Sequence, residues 1–225
     1  MTRRPTWRLP IALLVLGAIP VVAGTFRMVE FFGGPATLPV RTSFEESPAP
    51  MVVHIVAALA FVVLGAFQFS AGLRRRRPRW HRTSGRLVVP LGLAAALSAL
   101  WMNEFYELPD GPNPLLYVFR LVFASAMAAS IVLGFLAVRR RDIRNHRMWM
   151  VRAYAIGLGA GTQAFTIGFG EALFGSGETS LALMHASAWV INLAVAEWAM
   201  RRRPRRRRGP RQAVPSLQPV EAGLS

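Results

Sequence analysis

The chain is 225 residues long, 53% hydrophobic, and carries a formal net charge of +16. Its apolar runs are too long and too featureless for the core of one soluble domain, so it reads as an all-α, polytopic membrane protein. All 27 basic residues are arginine and there is no cysteine, which excludes disulfides, thiolate metal sites, iron–sulfur clusters and thioether-attached haem.

A short basic start, Met1 to Arg8, precedes the first apolar run, about residues 9–26, with prolines at 10 and 20. Val21 and Ala23 also fit the small residues before a signal cleavage site. Because later runs already tie the chain to the membrane, this stretch is read as a retained span. A connection follows from Phe26 to Ala49, its apolar first half suited to the interface, with a Gly33-Gly34-Pro35 turn. The second span covers about 50–73, long enough to cross about 30 Å of hydrocarbon at about 1.5 Å per residue.

Next comes a basic collar, RRRRPRWHRTSGR from Arg74 to Arg86, and then a third span at about 87–103. The acidic, turn-rich NEFYELPDGPN reads as a loop, and the fourth span runs over about 115–138. A second collar, RRRDIRNHRMWMVR from Arg139 to Arg152, leads into a fifth span at about 148–174. After the turn at Gly175 to Thr179, a sixth span covers about 180–200. Residues 1–200 thus form one membrane domain. Residues 201–225, proline-rich and poor in apolar side chains, read as a disordered arginine-rich tail.

Shifting the first collar by 65 positions lays Arg74, Arg75, Arg76, Arg79, His81 and Arg82 onto Arg139, Arg140, Arg141, Arg144, His146 and Arg147. A parallel repeat relating spans two and three to spans four and five is one reading of this, and two independent collars are the other. In either case 24 of the 27 arginines fall on one side, all but Arg27, Arg41 and Arg120. By the positive-inside rule that side is cytoplasmic, which gives six spans with both termini inside and a multi-pass protein of the cell membrane. The arginines abut apolar spans instead of lining a recognition motif, so the expected partner is the bilayer with its anionic headgroups and not nucleic acid.

An ionisable group inside a span is costly and marks a candidate site. His54, Arg120 and His185 lie 20, 19 and 16 residues before Arg74, Arg139 and Arg201 in spans that run in the same direction. That places all three in one layer, roughly 24 to 30 Å above the inner collar. His81 and His146 open the third and fifth spans at the inner boundary. Two histidines at each face, on four helices, suit a protein with two b-type haems held by paired imidazoles, with Arg120 neutralising an outer propionate. Plainer roles are open to the same residues: the outer histidines can bond a headgroup, a water or a carbonyl, Arg120 can snorkel, and the inner histidines can bind lipid phosphate.

The GLGAG at Gly157 to Gly161 reads as helix packing through Ala153, Gly157 and Gly161 rather than as a phosphate loop, which needs a preceding strand. Gln68, on one helical face with His54, Ala58, Phe61 and Gly65, and Gln163 are expected to bond between helices. Trp80, Trp149 and Trp198 at the inner boundary, with Trp101 and Tyr106 at the outer, form an aromatic belt. No GxSxG, HExxH or Walker motif occurs.

Four ordered motifs carry a family resemblance: Gly65, Gln68 and Phe69 closing one helix; His81, Arg82, Gly85 and Arg86 opening the next; His146, Arg147, Trp149, Met150 and Arg152; and Asn192, Leu193, Ala196, Glu197 and Trp198 near the end. With these the chain resembles the predicted membrane proteins of domain-of-unknown-function family 2306, over about His54 to Trp198. The resemblance implies a shared fold and no known reaction. It directs attention to the inner boundary, where Gln68, His81, Arg86, His146, Arg147 and Arg152 crowd together with Glu197, and where Glu197 is expected to pair with an arginine and lock spans three, five and six; Arg82 and Asn192 count with them as structural or interface positions.

Three functions follow. The first is a membrane redox component holding haem b through His54 with His185 and, at the inner face, His81 with His146. The second is a non-enzymatic membrane protein whose collars bind anionic lipid or a partner subunit. The third is a small-solute or ion transporter using the His54, Arg120 and His185 layer. Oligomeric state, substrate and reaction are not written in these residues.

Overall fold

A computed structural model describes residues 7–35, 46–107 and 113–202. Among them are eight helices and no strand: α1 (Arg8–Phe31), α2 (Pro48–Gln68), α3 (Ala71–Arg76), α4 (Pro78–Phe105), α5 (Pro114–Arg139), α6 (Ile143–Gly157), α7 (Gly159–Phe174) and α8 (Glu178–Arg201). Five of these, α1, α2, α4, α5 and α8, are long and apolar enough to cross a membrane. Arg41, part of the NEFYELPDGPN loop and all but the first two residues of the expected 201–225 tail lie outside the described residues.

Local chemistry sets the helix ends. Pro48, Pro78 and Pro114 stand in the first turns of α2, α4 and α5, where a missing N–H costs nothing. The Asn113 side chain caps α5 by accepting from the Leu116 N–H at 2.9 Å, and Asp142 caps α6 by accepting from Asn145 at 3.0 Å. Those Asn145 hydrogen bonds hold the Asp142 carboxyl below its usual range. Ser70 accepts from the Leu73 N–H at 3.2 Å, which starts a new helix where the second span was expected to run on. Span two therefore ends at Gln68, and Ala71–Arg76 is the separate helix α3. The first helix extends to Phe31, so the apolar stretch expected in the interface continues the span.

Consecutive helices pack side by side: α1 on α2, α2 on α4, α4 on α5, α5 on α6 and α7 on α8. At one end Tyr106 donates to the Ser47 carbonyl and Asn113 to the Glu178 carbonyl at 2.9 Å. At the other, Trp7, Phe67 and Trp80 meet edge to face. Both collars lie at this second end, since α2 and α5 each start at the first and run the length of the bundle. We call these the loop end and the collar end.

The buried core sits towards the collar end and in mid-bundle. Phe61, Val62, Ala66, Val88, Ala96, Met127, Ile131, Ala153, Tyr154, Ile156 and Leu158 form it. Tyr154 is central: its hydroxyl donates to the Val62 carbonyl at 2.8 Å, and a Cβ built on Gly65 would stand 2.3 Å from its ring. Outward faces are apolar, as at Ile11, Val15, Val56, Leu97, Val122 and Val195, as expected of helices solvated by lipid.

The expected fifth span is not one helix. It divides at Leu158 into α6 and α7, of 15 and 16 residues, each about 22 to 24 Å long and shorter than the hydrocarbon thickness. Glycines flank the break on its α7 side and let neighbours approach closely. A Cβ at Gly159 would come 2.2 Å from the Trp189 ring nitrogen, and one at Gly161 would come 2.1 Å from the Leu16 carbonyl oxygen, so two neighbours press on α7 from different sides. Asn192 serves the backbone there, donating to the Ala155 carbonyl at 3.1 Å while accepting from the Thr162 hydroxyl at 2.8 Å.

Candidate functional site

A cavity of about 440 Å³ occupies the loop-end half of the bundle. His54 from α2, Arg120 from α5 and His185 from α8 all line it. The spacing explains why: His54 is six residues into its helix, Arg120 six and His185 seven, so at about 1.5 Å per residue each stands about 9 to 11 Å below the loop end. Helices starting at a common level deliver the three groups to one layer.

Each imidazole has one nitrogen engaged. His54 Nδ1 lies 2.9 Å from the Ala95 carbonyl oxygen and 3.2 Å from Ser98 Oγ. A carbonyl only accepts, so Nδ1 carries the proton and, in the neutral ring, Nε2 keeps the lone pair. His185 Nδ1 is likewise 2.9 Å from the Leu181 carbonyl oxygen. In both rings the nitrogen left over is the one that would bind a metal or accept a hydrogen bond. Arg120 and Glu171 lie within electrostatic reach of the His185 ring.

Asn103, Tyr106, Glu107 and Tyr117 line the cavity nearest the loop end. Asn103 donates to the Tyr117 carbonyl at 3.2 Å, and the Tyr117 hydroxyl donates to Glu104 at 2.8 Å. Partial burial pushes the Tyr106 hydroxyl above its ordinary value. On the opposite side the cavity meets Phe61, Val62, Met127 and Ile156, which also belong to the buried core. The cavity is therefore closed towards the collars. Trp189, stacked on Phe123 at 4.7 Å between centroids, and Gln163, which donates to the His185 carbonyl at 3.4 Å, complete its α7–α8 wall.

One family pattern matches the chain, that described as Predicted membrane protein (DUF2306), over residues 51–200. The chain belongs to this family. No curated protein and no solved structure matches it. In this DUF2306 protein the match takes in every polar side chain of the cavity and leaves out α1, which nevertheless supplies Pro20, Val21 and Gly24 to the wall.

The four histidines divide between the two ends. His81 and His146 do not line the cavity. His146 Nδ1 meets the Gly134 carbonyl oxygen at 2.9 Å, and His81 lies within electrostatic reach of Arg74 and His146. The other family positions have mixed roles. Gln68 donates to Ser84 at 2.7 Å, joining α2 to α4, while Arg82, Arg86 and Arg147 are exposed. Glu197 pairs with Arg152 at 2.6 Å, so the expected lock ties α6 to α8. The third span, α4, supplies no partner to it. Asn192 serves the α6–α7 break, a role with no clue in sequence spacing. Ser98, Asn103, Tyr117 and Trp189 are site residues that the sequence reading passed over; the two on α4, Ser98 and Asn103, lie five residues apart and so give no helical-face signal. Among the described residues, no three histidines or carboxylates gather as a site for a bare metal ion.

Proposed function

We propose that this membrane protein works through its loop-end cavity, and that the ligand held there is a b-type haem between His54 and His185. The observation that carries the reading is that these two imidazoles, on α2 and α8, line one largely apolar cavity with each Nδ1 tied to a backbone carbonyl. A hydrogen bond from Nδ1 to a carbonyl fixes the imidazole tautomer and leaves Nε2 to the metal. Phe61, Met127, Ile55 and Trp189 offer an apolar wall, and Arg120 offers a guanidinium suited to a carboxylate. Haem supplies one-electron chemistry when bound. The chain's own part is to hold two neutral imidazoles at one depth and to keep water away on the collar side.

The charge asymmetry completes this reading. The collar end faces the cytoplasm, α6 and α7 cross together as the fifth of six spans, and the cavity opens on the outer side of the cell membrane. An absorbance spectrum of the purified protein tests it. A Soret band, lost in His54→Ala and in His185→Ala without loss of folded protein, is the expected result. A colourless protein that takes up no added haem overturns the haem assignment.

One observation favours a second reading. The α6–α7 break places Gly157, Ala160 and Gln163 in the cavity wall, and interrupted helices often flank solute sites in transporters. Colourless protein whose vesicle flux of a small anion depends on Arg120 and His185 would select it.

A further inference from the structure

The wall of the loop-end cavity is not equally tight all round. Along most of it side-chain hydrogen bonds join one helix to the next: His54 of α2 to Ala95 of α4, Asn103 of α4 to Tyr117 of α5, Asn113 at the start of α5 to Glu178 of α8, and Thr166 of α7 to Met184 of α8. Between α2 and α7 the arrangement differs. These two do not pack closely on each other, and α1 fills the space between them, packed on both and supplying Pro20, Val21 and Gly24 to the cavity wall. Its seat is made by close approach at glycines, Gly24 against Ile55 and Leu59 of α2, and the Leu16 carbonyl against Gly161 of α7.

The α1–α7 seam is shut at one level and parted at the next. Gly161 is buried beneath the Leu16 carbonyl. Gly168, seven residues on, returns to the same face of α7 two turns nearer the loop end. It is exposed, and a Cβ built there would meet nothing within 4 Å. Phe165 and Phe169 on either side of it are 49% and 70% exposed. The two helices therefore diverge beyond Gly161, at the level where α7 gives Gln163 and α1 gives Pro20 and Gly24 to the cavity. Both lips of the seam are apolar, with Ile19, Val22 and Phe26 of α1 exposed as well, so it faces hydrocarbon. Pro20 also softens α1 at this point, since it brings no N–H to the Leu16 carbonyl four residues before it.

We propose that the cavity exchanges its ligand with the bilayer through the α1–α7 seam, and that the ligand is accordingly a membrane-dissolved amphiphile. Its apolar body lies against Phe61, Met127 and Trp189, and its polar end meets the layer of His54, Arg120 and His185. This rests on the cavity as the working site and not on haem as its occupant.

The chain has no cysteine, so a single introduced thiol reports the route. Ala58→Cys places one in the cavity wall. Val56→Cys, on the exposed face of α2, and Gly177→Cys, in the exposed turn before α8, calibrate reaction from lipid and from water. The full chain in phosphatidylcholine vesicles is treated with N-phenylmaleimide, which dissolves in the bilayer, or with a sulfonated maleimide, and labelling is followed by mass. Against these calibrations, the Ala58→Cys thiol should react at least about tenfold faster with N-phenylmaleimide, because the hydrocarbon excludes the sulfonate. Gly161→Ala, whose methyl displaces the Leu16 carbonyl, should speed that reaction. Pro20→Ala, which restores an N–H to α1 without crowding the seam, should slow it about fivefold, the scale of one hydrogen bond. Neither change should alter the Val56→Cys thiol. Equal or faster reaction with the sulfonated reagent overturns the seam, since the ligand would then enter from the loop end. So does an Ala58→Cys thiol that reacts with neither reagent, or one whose rate Pro20→Ala leaves unchanged. A colourless protein would remove the haem and leave the labelling result standing.

Discussion

Gly65→Ala puts the core beneath the cavity to a direct test. The Tyr154 ring carbons stand 2.3 and 2.7 Å from where the new methyl would sit, far inside contact distance. The ring cannot simply swing aside, because it also packs on Phe61 and Phe69 with centroids 5.6 and 4.9 Å away and its hydroxyl is bonded to Val62. Overpacking of this kind costs about 1–3 kcal/mol, and breaking the interhelical hydrogen bond adds about 0.6 kcal/mol. For a chain of this size each kcal/mol moves the unfolding midpoint by about 2–4 °C, so a fall of roughly 3–14 °C is expected in detergent. Tyr154→Leu removes the obstruction, and in that background Gly65→Ala should cost much less, a coupling that a double-mutant cycle reads directly. Additive effects, or a midpoint for Gly65→Ala within about 1 °C of the parent, would refute the close approach of ring and glycine and with it the closed floor of the cavity.

Other outcomes follow from the same packing. Asn192→Leu should lower stability by about 1–2 kcal/mol, since it removes two interhelical bonds, and Thr162→Val should add little once Asn192 is gone; thermal unfolding of the four variants measures this. Glu197→Gln should cost under about 1 kcal/mol because the pair is about a quarter to a third exposed, and the exchange Arg152→Glu with Glu197→Arg should recover most of it. Asp142 has a folded-state pKa lowered by its Asn145 hydrogen bonds. Its contribution to stability is therefore present above the ordinary carboxylate value of 3.8 and is lost as pH falls through the lower folded value. Asp142→Asn, which keeps a capping oxygen, should flatten that acid limb of the stability profile.

The apolar runs told where helices would lie because lipid solvation demands little more than length and hydrophobicity. The layer of His54, Arg120 and His185 was legible for a similar reason: distance from a collar converts to depth at a fixed rise per residue. What escaped were features set by neighbours. The break at Leu158 is followed by glycines that Trp189 and Leu16 approach closely, and in sequence these look like ordinary helix-packing residues. The end of α2 depends on Ser70 turning to cap α3, and a hydroxyl between Phe69 and Ala71 gives no sign of it. Ser98 and Asn103 became site residues only once α4 was seen to face α2 and α5. The Arg152–Glu197 pair was legible as a pairing but not as a choice of partner, because several arginines stood within reach along the sequence.

The first helix lies outside the family match and yet plugs one flank of the pocket with Pro20, Val21 and Gly24. It holds to the bundle by close approaches such as Gly161 beneath Leu16 and Gly17 against Val62, and little of it is buried. A bundle stripped of this stave would leave His54 facing acyl chains, so the medium that bathes the imidazole, aqueous or oily, is decided by the most weakly seated member of the barrel.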